Sequence, residues 1–232
     1  MSQARIVLDP GHGGYDPGAV AFGLEEKKLN LKLALKAAEQ LSDQEVLLNR
    51  DRDLFVSLSD RVAISKRVNA DLFVSLHVNA GGGRGFESFI YSGLPQGSAV
   101  EKIQENLHLE IMTTLEPWQI RDRGHKQAAF YVLKYNSAPA VLIESLFIDN
   151  EREALLWQSD KFVEALAKGV SEGIRQTLKL PPGKQAPGEA APKGSLYTVQ
   201  VGAFAYPENA RQRLAEAKAA GFKDAFIYYK ER

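Results

Sequence analysis

Cysteine is absent from the 232 residues. That absence excludes a disulfide framework, a thiolate nucleophile and any Cys-ligated zinc. A metal site would have to be built from His, Asp and Glu. Histidine is scarce too: the chain has His12, His77, His108 and His125 and no other, so each is a site candidate. Charge of one sign is also missing, with Lys plus Arg and Asp plus Glu at 29 each, and no global field favours nucleic acid. No apolar stretch approaches the roughly 20 residues needed to span a bilayer. The opening Met1-Ser-Gln-Ala-Arg-Ile-Val-Leu-Asp9 is too short and strand-like for a secretory signal. The expectation is synthesis inside the cell with another route to the substrate, or export information that has been removed. Also lacking are a G-x-S-x-G elbow, a Walker-type phosphate loop and a G-x-G-x-x-G fingerprint.

What is present is a soluble globular composition, 44% hydrophobic and 25% charged, arranged as alternating strands and helices. Ile6-Val-Leu8, Val46-Leu-Leu48, Leu72-Phe-Val-Ser-Leu76, Phe86 to Tyr91 and Ala140-Val-Leu-Ile143 read as strands. Helical periodicity runs from about Glu26 to Leu41, Leu58 to Val68, Ser98 to Thr114, Glu151 to Gln158 and Lys161 to Thr177. The order predicts an α/β fold, a mostly parallel twisted sheet with helices on both faces, over residues 1–180. Pro181 to Gly194 holds four prolines and three glycines without apolar periodicity, the composition of an interdomain linker over 181–194. Residues 195–232 predict one small β-α-β unit: a strand from Tyr197 to Phe204, a helix from Glu208 to Ala220 and a strand from Ala225 to Tyr229. A unit of that size buries a poor core by itself.

In a parallel sheet, ligands bind at the carboxyl ends of the strands; three residues stand at such ends, and a fourth, Glu26, points back towards them. His12, in Asp9-Pro-Gly-His-Gly-Gly14, follows the first strand, where flanking glycines allow a sharp turn. A turn that happens to hold a histidine is an equally good reading. His77 ends the strand before Val78-Asn79; taken alone it is more often a structural residue, but beside His12 it makes a ligand pair. Glu26 opens a helix, where the dipole alone explains an acid, and Glu25 is its rival. Glu144 ends a buried strand, where a carboxylate is costly unless paired, metal-bound or solvated in a cleft. Two His and one carboxylate with an open fourth position is the set of a hydrolytic zinc, and a further Glu would take a proton from water. His108, in an amphipathic helix, and His125, in a polar loop, read as surface or loop residues.

Six blocks carry a resemblance: Asp9-Pro-Gly-His-Gly-Gly-Tyr-Asp-Pro-Gly-Ala19, Gly23 to Leu31, Arg50-Asp-Arg-Asp53, Ala70 to Asn79, Gly85-Phe-Glu87 and Pro139 to Asn150. In this order they resemble the zinc-dependent N-acetylmuramoyl-L-alanine amidases of the amidase 3 family, over about residues 4–178. The resemblance implies zinc bound by His12, Glu26 and His77, with Glu144 as the catalytic glutamate and peptidoglycan as the substrate. It selects Glu26 over Glu25 because the family's ligand lies four residues before the Asn that here is Asn30. From Leu196 onward the tail is similar to the first half of a SPOR domain, a module that binds glycan strands stripped of stem peptides. The architecture resembles sporulation amidases that help lyse the mother cell. A zinc peptidase cutting within the stem peptide and a catalytically silent wall-binding protein are the competing readings, and neither nucleic acid nor membrane insertion is expected. No domain-sized insertion separates Asn79 from Phe130, so an open site is expected.

Overall fold

The computed structural model describes residues 3–182 and 207–219. The chain divides into two compact units, Met1–Gln185 and Ala186–Arg232. The first contains β1 (Arg5–Pro10), the short hairpin strands β2 (Val20–Ala21) and β3 (Leu24–Glu25), α1 (Glu26–Gln40), β4 (Glu45–Leu48), α2 (Leu58–Arg67), β5 (Leu72–Asn79) and β6 (Phe86–Tyr91). It continues with α3 (Ala99–Leu115), β7 (Asp122–Ala128), α4 (Tyr131–Lys134), β8 (Ala140–Phe147), α5 (Glu151–Trp157) and α6 (Asp160–Leu178). In the second unit the described residues form α7 (Pro207–Ala219), where the sequence predicts a helix. The two strands expected around it, and most of the expected linker, lie outside the described residues.

The six-stranded sheet has the order β4-β1-β5-β8-β6-β7. The first four strands are mutually parallel, β6 runs antiparallel to β8, and β7 is parallel to β6. Strands buried on both faces need apolar side chains throughout, which is why β1, β5 and β8 begin as unbroken runs. On one face Ile6, Leu8, Val74 and Ile143 pack beneath α1, α3 and α6. On the other, Val7, Phe73 and Leu142 meet Val62 of α2 and Val132 and Leu133 of α4.

Side chains of a strand return to the same face every second residue. Continuing from Val7, Phe73 and Leu142, the second face therefore receives Asp9, Ser75, His77 and Glu144. Its helices are short, 10 residues in α2 and 4 in α4, against 15, 17 and 19 in α1, α3 and α6. Near the carboxyl ends of the strands these short helices leave a cleft, walled in part by Leu58 and Arg61 of α2 and by Tyr131 and Val132 of α4. Hydrogen-bonding caps fix α2, α3, α5 and α6: Ser57, Ser98, Asn150 and Ser159 each accept from a backbone N–H three residues on. In α1 no side chain caps the start. Instead Glu26 N–H donates to Ala19 O at 2.9 Å and Lys27 N–H to Pro17 O at 3.1 Å. That frees the Glu26 carboxylate to turn towards the sheet edge.

Candidate active site

His12 sits at φ 60°, a left-handed conformation, followed by Gly13 at 132° and Gly14 at 59°. A non-glycine residue holds such a turn only when its surroundings fix it, and two buried arginines do so. Arg61 donates to Pro10 O and His12 O, both at 2.8 Å, and Arg50 donates to Pro10 O at 3.0 Å and Gly11 O at 2.8 Å. Arg61 is in turn held by Asp9 at 2.6 Å, and Asp9 also accepts from Ser75 Oγ at 2.7 Å and Asn49 at 2.9 Å. The backbone turn of the site thus rests on a buried ionic network, Asp9 with Arg61, under the sheet edge. Asp9 and Arg50 both fall in the sequence blocks that carry the resemblance, whereas Arg61 lies in a helix outside them; none of the three has a local signal of this role.

The turn directs His12 Nε2 to Glu26 Oε2, 3.2 Å away, while His77 Nδ1 faces Glu26 Oε1 at 3.0 Å. The imidazoles meet edge to face with centroids 5.2 Å apart. One ligand atom from each of His12, Glu26 and His77 lies within 4.8 Å of the others. Glu25 instead pairs with Lys27 at 3.6 Å and with Lys28. The Glu26 carboxylate also accepts from Ala19 N–H at 2.9 Å, Val78 N–H at 3.2 Å and Asn30 Nδ2 at 3.2 Å. Asp16 Oδ2 is 2.8 Å from His12 Nδ1, the second bond that orients a metal-ligating imidazole.

Burial works against a charged Glu26, but the hydrogen bonds and charges of His12 and His77 outweigh it and hold the carboxyl well below its usual range. Burial likewise opposes the His12 cation; the hydrogen bond and charge of Glu26, then those of Asp16, overcome it and raise its pKa to about 9. Two imidazoles and one carboxylate converging this way form a donor set that fits a divalent transition metal. The cluster could hold a metal ion.

Glu144 pairs in register with His77 across β5 and β8. Burial pushes its pKa up to about 7, helped by the Glu26 and Glu87 carboxylates and opposed by the two histidines. Its Oε2 is buried without a hydrogen-bond partner. Beside it lies a cleft of about 360 Å³, lined by His12, His77 and Glu144 together with Phe55, Phe130 and Tyr131.

His108 and His125 are not in this cluster. His108 is buried, not on a helix surface, and lies 2.9 Å from both Ser88 Oγ and Asp122 Oδ1. His125, expected in a loop, belongs to the edge strand β7 and meets the His108 ring at 4.4 Å.

The profile of the N-acetylmuramoyl-L-alanine amidases matches residues 6–176. The chain belongs to this family. As an amidase it is a cell-wall hydrolase acting on the amide bond between N-acetylmuramic acid and L-alanine in peptidoglycan, which decides against a peptidase cutting within the stem. The SPOR domain profile matches residues 193–232. The amidase is 38% identical over 231 residues to the sporulation-specific N-acetylmuramoyl-L-alanine amidase of Bacillus subtilis, covering 98% of this chain and 85% of the relative. It is 39% identical over 231 residues to the amidase CwlM of Bacillus licheniformis, with the same coverage. Among solved structures, an N-acetylmuramoyl-L-alanine amidase from Clostridium difficile superposes with a TM-score of 0.72 at 30% identity, over 77% of this chain and 98% of that one. The catalytic domain of CwlV from Paenibacillus polymyxa gives 0.71 at 30%, over 77% and 99%. Among the described residues no helix is long and apolar enough to cross a membrane.

Proposed function

We propose that this amidase is zinc-dependent, with His12, Glu26 and His77 as ligands and Glu144 as the catalytic glutamate. The observation that carries the assignment is the unpartnered, buried Oε2 of Glu144 beside the His12, Glu26 and His77 cluster. A buried carboxylate oxygen left without a donor is costly; at a cleft wall it is an acceptor kept available for a proton. The chemistry zinc supplies at such a site is polarisation of the scissile carbonyl and a lowered pKa of the attacking water. Glu144, ionised, takes the proton of that water and delivers it to the departing L-alanine nitrogen. Asp16 holds the His12 ring in orientation, and Glu26 gains a fixed pose from three further donors.

The same reading divides the chain into a catalytic domain over 1–180, a linker over 181–194 and a partial SPOR-like, peptidoglycan-binding module over 195–232. A role in sporulation is supported by the name and coverage of the Bacillus subtilis relative, and lysis of the mother-cell wall is the step in which this reading places the enzyme.

The test is digestion of purified peptidoglycan by wild type and Glu144→Ala, each with and without a chelator, followed by mass analysis of soluble products. Stem peptides with a free L-alanine amino terminus, lost with the chelator, regained with zinc and absent for the variant, are expected. Release that survives the chelator would remove the zinc assignment, and release by the variant would remove Glu144.

A further inference from the structure

The row of side chains at the sheet edge continues past Glu144. His77 on β5 is registered with Glu144 on β8, and Glu144 with Glu87 on β6. Residues paired across strands share a face, so Glu87 opens on the side of the proposed catalytic group, one strand further along. Glu87 is 3% exposed, and its carboxylate is supplied with donors. Asn79 Nδ2 donates to Oε1 at 2.7 Å, and Arg123 Nε and Lys126 Nζ, both from β7, donate to Oε2.

Two cations on one carboxylate exceed what charge balance requires, and one positive charge is left over. Both cations keep donors in reserve. Arg123 makes one further, long contact, Nη1 to Arg84 O at 3.5 Å, and among the described residues its Nη2 has no partner. Lys126 Nζ uses one of its hydrogens on Glu87. Each is braced by a ring, Arg123 lying 4.8 Å from the centroid of Phe147 and Lys126 5.7 Å from that of Phe89. Their side chains are 26% and 36% exposed, enough to meet a ligand while their stems stay packed. An arginine with a free edge and a lysine held together by a buried carboxylate form a recognition pair for an anion such as a carboxylate.

The substrate carries that group. Beyond its L-alanine the stem peptide bears carboxylates, and the scissile amide must lie at Glu144, next to Glu87. We infer that Arg123 and Lys126 form a subsite for a free carboxylate on the stem-peptide side of the scissile amide, with Glu87 as the positioning residue that presents them. This rests on the amidase reading of the site.

The experiment compares two synthetic muropeptides, identical except that the acidic residue after L-alanine carries a free carboxylate in one and a carboxamide in the other. Wild type, Lys126→Gln and the Arg123→Gln, Lys126→Gln double variant are assayed on both. Wild type is expected to favour the carboxylate by about tenfold in kcat/KM, the equivalent of about 1.4 kcal/mol, through KM. That ratio should fall stepwise towards one in the single and double variants. Should the double variant not fold, wild type and Lys126→Gln decide, since the latter keeps the Arg123 to Glu87 pair. Equal kcat/KM of wild type on the two substrates, or a preference surviving the substitutions, would overturn the subsite and leave the amidase reading intact. Wild type that cleaves neither substrate would overturn both.

Discussion

Glu144 stands opposite His77 in the register of β8 and β5, and immediately beyond this pair the two strands fall out of step. Val78 alone separates His77 from the next paired residue, Asn79, whereas Ser145 and Leu146 separate Glu144 from Phe147. Leu146 takes up the extra length with φ at 68°. Bulges next to active sites re-aim side chains and end strand pairing, and this one fixes Glu144 as the last residue paired in step before the cleft.

Glu144 bonds to none of the three clustered residues, so its loss should separate chemistry from metal loading. Glu144→Gln is expected to lower turnover by about 10²- to 10⁴-fold, the usual worth of a general base, while bound zinc stays at the wild-type level. Product release and metal content measured on one preparation check this. Loss of metal with the substitution would make Glu144 a ligand instead.

Metal loading should release a proton. In the metal-free protein the His12 pKa stands at about 9, so at neutral pH a proton occupies the imidazole that a cation needs. Apparent affinity should climb with pH and level off near 9. In the same metal-free state the proton stabilises the fold: the contribution is complete below the ordinary value of 6.5 and is lost as pH rises through about 9. Calorimetric titration in two buffers of different ionisation enthalpy reads the released proton, and identical heats in both would count against it.

Gly11 is a position where the site has no room for a side chain. A Cβ built there would lie 2.2 Å from His77 Cε1 and 2.5 Å from Nε2. Gly11→Ala should push the imidazole off the cluster, weakening zinc binding by about 5- to 150-fold, the equivalent of about 1–3 kcal/mol for overpacking. Competition against a chelating dye measures it; unchanged affinity would mean that the ring has slack.

Arg61→Met leaves Asp9, 1% exposed, without its cation and frees the His12 turn. Breaking a buried pair from one side costs about 3–5 kcal/mol, and urea unfolding should show a loss of that order. Adding Asp9→Asn should recover part of it. A loss below about 1 kcal/mol would mean that the network is not what holds the turn.

The proposed site residues were legible because each ends an apolar run or opens a helix: Leu8 leads to the His12 turn, Leu76 to His77 and Ile143 to Glu144. One rule about parallel strands collects them. What supports them was not legible, since Arg61 and Asp9 meet across 52 positions of sequence and no local pattern encodes that meeting. β7 was hidden for a different reason. An exposed edge strand built of Asp122-Arg-Gly-His-Lys-Gln has the composition of a loop, and it is β6 that supplies its pairing. His108 reads as a surface residue because it is a polar residue in an amphipathic helix; its partners, Ser88 and Asp122, come from strands that the periodicity of α3 cannot report.

The reversal of β6 relative to β8 divides the molecule's evolutionary options. The clustered His12, Glu26 and His77 come from β1, α1 and β5 on one side of β8, while Glu87, Arg123 and Lys126 come from β6 and β7 on the other. On the proposed subsite, changes in these two strands can retarget the enzyme to walls of different stem-peptide charge while the hydrolytic machinery stays as it is.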